Sequence, residues 1–191
     1  MNLLLAFSPF IAFALLERFA GVAWALTLAA LVSLAIVARD VLSPARHVKL
    51  LELGSLVLFG GLAIVALASG ANWPVLMVRL WVDVGLCAIV LGSVLIGRPF
   101  TLAYAKERVA PELWKTQRFE RTNRTLSLVW FLAFVVLVLA DLLMLYVPQV
   151  PLAVGVGITL ASLVAAFRFS RWYPSRVAVS GPPEKVGEDP Q

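Results

Sequence analysis

The sequence predicts an all-α protein, a polytopic transmembrane helical bundle, and three observations predict it. Hydrophobic residues make up 61% of the 191 positions and charged residues only 14%, where a water-soluble domain is about half apolar and a quarter charged. Apolar runs of bilayer-spanning length recur along the chain. Fourteen of the sixteen Lys and Arg residues fall in three stretches beside those runs. At roughly 20 residues per span plus loops, about five to seven helices fit and no sizeable soluble domain does.

Six runs follow in order. The first, residues 3–16, contains Pro9 and is followed by Glu17 and Arg18. As a helix it covers about 21 Å, short of the roughly 30 Å hydrocarbon core. It is either a full span tucked against its neighbours or a half-span, so six crossings are expected with five as the alternative. The second run, 19–38, closes at Arg39 and Asp40. A polar connection, 39–49, leads to the third, 50–69. A short link with Asn72, Trp73 and Pro74 precedes the fourth, 80–97. A charged segment, 98–124, leads to the fifth, 126–147, and Pro148 and Pro151 bracket a turn into the sixth, 152–167. Residues 1–172 thus form one transmembrane domain. The tail, 173–191, is rich in Pro, Gly and charge and reads as disordered.

The charges orient the bundle. Arg39, Arg46 and Lys49 lie between runs two and three. Arg98, Lys106, Arg108, Lys115, Arg118, Arg121 and Arg124 lie between runs four and five, and Arg168, Arg171, Arg176 and Lys185 follow run six. An even number of crossings puts all fourteen on one face and leaves Arg18 and Arg79 opposite. Both termini are then cytoplasmic by the positive-inside rule. The net charge of +5 is accounted for in this way, and no nucleic-acid partner is expected. No Lys or Arg precedes residue 3, so the charged start of a cleavable signal peptide is missing.

Small residues every four positions, Gly21, Ala25, Ala29 and Ser33 in run two and Gly157, Ala161 and Ala165 in run six, suit close helix packing within the chain or in a homo-oligomer. Cys87, the one cysteine, excludes an internal disulfide and reads as a packed small residue. His47 stands in a basic loop without a ligand cluster, so no metal is expected. No nucleophile–base arrangement or phosphate-cradling loop is present. No cofactor and no enzymatic activity are therefore expected.

Ionisable groups within spans are costly and flag function by default. Arg79 and Asp83, four residues apart on one helical face, and Asp141, near the end of run five, lie at similar depth on the outer side. Glu17 and Arg18 in the first turn complete a candidate polar cluster. It is either an outer vestibule for a cation, a proton or a lipid head group, or a network of ion pairs stapling the hairpins together. Glu52 either faces head groups or pairs with Lys49. The segment 98–124 alternates basic and aromatic residues, and Pro111 with Glu112 reads as a helix start. Arg98, Tyr104, Arg108, Trp114, Arg118, Arg121 and Arg124 form a candidate face for anionic head groups on the cytoplasmic side or for a protein partner.

Several short motifs fall in a familiar order. They are Ser8-Pro9-Phe10 in the first run, and the stretch from Val48 through Phe59-Gly60-Gly61-Leu62. Asn72-Trp73-Pro74, Ile96-Gly97-Arg98-Pro99, and Trp114 followed by Asn123 and Trp130 come after them. In order and spacing, over roughly residues 1–147, they resemble the bacterial intracellular septation protein A family or a close sister group. The chain departs from the family pattern at Phe7-Ser8, where an acidic residue usually precedes the proline. It departs again at Asp141, where Asn is usual, and in its longer basic interval after Trp114. The resemblance implies a multi-pass bacterial inner (plasma) membrane protein of cell-envelope maintenance and cell division. It would act through contacts with envelope-synthesis or division membrane proteins and without chemistry of its own.

Three functions are thus expected in order: a non-enzymatic scaffold or modulator of envelope and septation machinery, a small transporter or channel with an outer vestibule, and a membrane subunit of a larger assembly. The orientation is testable directly. In a Cys87→Ala background, a membrane-impermeant thiol reagent applied to cells is expected to label Asn72→Cys and to spare Lys115→Cys. The reverse pattern inverts the topology.

Overall fold

The computed structural model describes residues 3–43, 47–70 and 73–179, and Arg46, Asn72, Lys185 and the tail from 180 onward lie outside them. Within the described residues the regular structure is all helical: α1 (Leu3–Ala6), α2 (Ser8–Ala20), α3 (Val22–Leu42), α4 (Leu50–Ser69), α5 (Val75–Leu95), α6 (Phe100–Lys106), a 3-10 turn (Pro111–Leu113), α7 (Gln117–Tyr146) and α8 (Leu152–Val179). Five of them, α3, α4, α5, α7 and α8, are long and apolar enough to cross a membrane. The protein is a multi-pass helical bundle. Its outside carries Trp24, Leu31, Val57, Ile64, Leu139 and Leu160, all exposed, an exterior suited to hydrocarbon and not to water.

The first run is not one rod. Pro9 lacks the backbone N–H that would donate to the Leu5 carbonyl in a continuous helix; Ser8 Oγ donates to that carbonyl instead, at 2.7 Å. The chain breaks at Phe7 and resumes as α2, which runs on through Glu17 and Arg18 to Ala20. These two charges therefore lie within a helix and not in a hairpin turn. The turn is Gly21, at φ +80°, a conformation that a side chain strains.

Although α2 has only 13 residues, it packs one face, with Pro9 and Phe13 buried, along the side of the bundle. Phe7 stacks on Trp130 with centroids 5.0 Å apart, and Glu17 has Arg79 and Asp141 as electrostatic neighbours. Ten residues of helix rise about 15 Å, and the eleven from Trp130 to Asp141 rise about 16 Å. Thus α2 runs beside α7 in the same direction. Phe10 and Phe13 meet Phe59 of α4, at 4.8 and 6.1 Å.

The other boundaries shift for identifiable reasons. Helix α5 starts a turn before its apolar run, so Arg79 is helical. Helix α7 begins nine residues before its run, because Thr116 Oγ1 caps it by accepting from the Phe119 N–H at 3.3 Å and Glu120 occupies its first turn. Helix α8 continues to Val179 across Pro174, so residues 173–179, expected in a disordered tail, are helical. The Pro111 start is a single 3-10 turn.

The connection from α5 to α7 is tucked in. The Phe100 N–H donates to Ser93 Oγ at 3.1 Å. Thr101 Oγ1 donates to the Asn123 carbonyl at 2.8 Å and lies 2.9 Å from Ser127 Oγ. Helix α6 is thereby fixed to α7, and Trp130 Nε1 donates to Ser170 of α8 at 2.9 Å.

Of the two small-residue ladders, Ala25, Ala29 and Ser33 of α3 are buried, whereas Gly157, Ala161 and Ala165 of α8 are exposed. A third small-residue contact joins α4 to α5 reciprocally. A Cβ on Gly54 would come within 2.9 Å of Ile89, and one on Gly85 would collide with Leu58. Each glycine receives the branched residue four positions from the other, so the antiparallel helices interlock. Leu58 is half-buried beside a groove and can give way, so overpacking here costs about 1 kcal/mol, the low end of the range for a fitted core. Gly85→Val is expected to lower unfolding stability in mild detergent by that amount, and adding Leu58→Ala should recover part of it. A neutral Gly85→Val would refute the interlock.

Candidate functional site

Two charged clusters occupy opposite ends of the bundle. At the basic end, the last turn of α3, the first of α4 and the end of α6 converge on Lys49, which is 5% exposed. Its Nζ lies 3.4 Å from Asp40 Oδ2, 3.4 Å from Glu52 Oε1 and 2.9 Å from Glu107 Oε1. Asp40 also accepts from Arg39 Nε at 2.9 Å and Nη2 at 2.7 Å. Glu52 Oε2 accepts from the Lys49 N–H at 3.4 Å, the N3-to-N-cap half of a capping box at the start of α4. The ammonium stands 5.2 Å from the centre of the Tyr104 ring, a cation–π contact.

Burial works against the Lys49 charge, but the Glu107 hydrogen bond and the charges of Glu52, Glu107 and Asp40 outweigh it and hold the ammonium above its usual pKa range. Burial, reinforced by the charges of Glu52, Glu107 and Asp40, drives the Tyr104 phenol upward, so it stays neutral.

At the other end, α2 contributes Glu17 and Arg18, α5 contributes Arg79 and Asp83, and α7 contributes Asp141. Asp141 is 1% exposed. Its nearest cation is Arg79, with Nη2 3.7 Å from Oδ1, an ion pair too long for a hydrogen bond. Neither Asp141 oxygen has a hydrogen-bond partner, and the same holds for Glu17 Oε2. Asp83 faces Asp141 at interaction range. Trp73 and Trp81 meet edge-on at 4.9 Å beside this end.

The structure therefore brings Glu17, Arg79, Asp83 and Asp141 together, with Arg18 exposed at the edge near Glu17. The proposed inner face is divided. Arg98, Arg108, Arg121 and Arg124 are exposed and Arg118 is half-buried. Trp114 is half-buried, with Nε1 donating to the Val109 carbonyl at 2.9 Å and Lys106 5.2 Å over its ring. Tyr104 does not belong to that face: it is 7% exposed, turned inward by α6 and covered by Lys49. His47 is exposed and Cys87 is half-buried against the core.

Among the described residues no group of three His, Cys, Asp or Glu side chains is arranged to hold a metal ion. Two grooves, about 540 Å³ between α4 and α5 and about 240 Å³ between α3 and α4, are lined almost wholly by apolar residues such as Leu53, Val57, Ile89 and Leu31. They offer no convergent polar groups to a reacting substrate. No family model, curated protein or solved structure matches the chain. The likeness to septation protein A rests on the motifs quoted above.

The Lys49–Glu52 pair is legible in the sequence as an (i, i+3) contact. The junction with Asp40 and Glu107 is not, because these come from separate connections. Removing one partner from a buried ion network leaves uncompensated charge and costs about 3–5 kcal/mol, whereas exposed substitutions stay within about 0.5 kcal/mol. Lys49→Met is expected to destabilise the protein by the larger amount and Arg121→Gln by no more than the smaller, read from unfolding in mild detergent. Because the Lys49 pKa is raised, its contribution is complete below the ordinary lysine pKa and is lost as pH rises through the folded value. The wild-type advantage over Lys49→Met should narrow at strongly alkaline pH, and again in acid as Glu107, whose pKa is lowered despite burial by its pairing with Lys49, becomes protonated.

Proposed function

We propose that the protein is a non-enzymatic membrane scaffold that grips the anionic cytoplasmic leaflet and a membrane or envelope partner through the basic ends of α7 and α8. One observation carries this reading. With 30 and 28 residues, these helices reach about 45 and 42 Å at 1.5 Å per residue, well beyond a roughly 30 Å hydrocarbon core. The surplus lies at the same end of both. It carries Arg118, Arg121 and Arg124 on α7 and Arg168, Arg171 and Arg176 on α8.

Arg176 packs over Trp172 at 5.5 Å, and aromatic rings among arginines suit the head-group layer. The positive-inside rule makes this the cytoplasmic end. Under the septation-family resemblance the cell would be bacterial, the membrane the inner one, and the partner an envelope-synthesis or division protein.

A basic residue near an anionic surface contributes about 1 kcal/mol, so three together amount to roughly a hundredfold in affinity. Arg118→Gln, Arg121→Gln and Arg124→Gln combined are expected to strip anionic phospholipid from the protein purified in mild detergent, as read by native mass spectrometry. Helicity should be retained and co-purifying partners lost. If bound anionic lipid and partners both stay at wild-type levels, the basic face has no such role.

A further inference from the structure

At the end opposite the basic face, a hydrogen-bond count is left open. Asp141 is buried to 1% exposure, and both of its oxygens and Glu17 Oε2 lack a donor. An ionised carboxylate only accepts, and buried acceptors without donors are rare enough to require an explanation.

The titratable and charged groups of the helices packed here can be named. Helix α2 supplies Glu17 and Arg18. Helix α5 supplies Arg79, Asp83 and Cys87, the last close to Asp83. Helix α8, packed on α7, has its charged residues, Arg168, Arg171 and Arg176, at the far end. Arg79 is the one cation that pairs here, at 3.7 Å from Asp141, and Arg18 is exposed. Three carboxylates against two guanidiniums leave one negative charge uncompensated in a setting where unpaired charge is expensive.

Asp83 and Asp141 lie on facing helices at interaction range, and two carboxyl groups hydrogen-bond one another only when one carries a hydrogen. A single added proton neutralises the surplus charge and supplies one hydrogen-bond donor between Asp83 and Asp141. No metal-holding arrangement is found among the described residues.

We propose that Glu17, Arg79, Asp83 and Asp141 form a proton-binding site in the outer half of the membrane, in which one proton is shared between Asp83 and Asp141 and Arg79 holds the remaining charge. The proton comes from the outer aqueous side, because the Arg79 side chain is 21% exposed and lies one turn from the start of α5. This inference is independent of the basic inner face.

The test uses the full-length protein in nanodiscs and infrared spectroscopy at neutral pH. A protonated-carboxyl stretch is expected that shifts on deuteration and shifts again when the aspartates alone carry carbon-13. It should disappear in Asp83→Asn, whose side chain is only half-buried, and in Asp141→Asn if that variant folds. Alkaline titration should remove it reversibly in the wild type. The isotope arm needs no mutation, so a variant that fails to fold does not spoil the test. Absence of the stretch in the wild type, its indifference to aspartate labelling, or its persistence unchanged in Asp83→Asn overturns the proposal.

Discussion

The Lys49 ammonium ties the ends of three helices to a single charge. Helix α3 ends, α4 begins and α6 terminates within reach of that one group, because Asp40, Glu52 and Glu107 all converge on it. In hydrocarbon, helices gain little by exchanging lipid for one another, so polar links and small-residue contacts decide which ends meet. A charge at this depth is tolerable only with its counter-charges alongside. Lys49 has three, together with the face of Tyr104.

The opposite end has the same kinds of residues and a different balance. Asp141 is as deeply buried as Asp40, each at 1% exposure, yet Asp40 receives two hydrogen bonds from Arg39 while Asp141 receives none. The difference lies in geometry. Arg39 is adjacent to Asp40 in sequence, whereas Arg79 must reach from α5 to α7 and stops at 3.7 Å. A group that serves only as a staple is best served by complete pairing, which the basic end has and the outer end lacks. The two clusters therefore call for different explanations, and one structural role does not cover both.

How much was legible depended on whether a boundary was written in apolar residues. Helix α4 matches its run at both limits because Lys49 precedes it and Gly70 follows it. Helices α7 and α8 exceed theirs because a helix continues through Arg and Glu about as readily as through Leu, and hydropathy registers only the part in lipid. The first run was ambiguous for a physical reason: Pro9 divides it, and only tertiary contacts such as Phe7 on Trp130 show how deep it lies. Within the candidate sites, Arg79, Asp83 and Asp141 were recognisable because charge stands out in an apolar run. Tyr104 was misplaced because an aromatic among basic residues looks the same whether α6 lies on the surface or turns inward. Glu107 carried no signal, since its partner is 58 positions away in the sequence.

The two ends also constrain each other through α5 and α7. Gly85 lies two residues from Asp83, so the interlock with α4 that seats Leu58 on Gly85 also sets the rotation of α5 that turns Asp83 toward α7. At the far end of the same helix, Ser93 accepts from the Phe100 N–H, and α6 then fastens to α7 through Thr101. Helices α5 and α7 are thus fixed to one another beyond both ends of the apolar contact. Neither can rotate without breaking a buried hydrogen bond at the basic end or separating the two carboxyl groups at the other. A proton bound between Asp83 and Asp141 would therefore act on α7, which carries Arg118, Arg121 and Arg124 of the basic face at its other end.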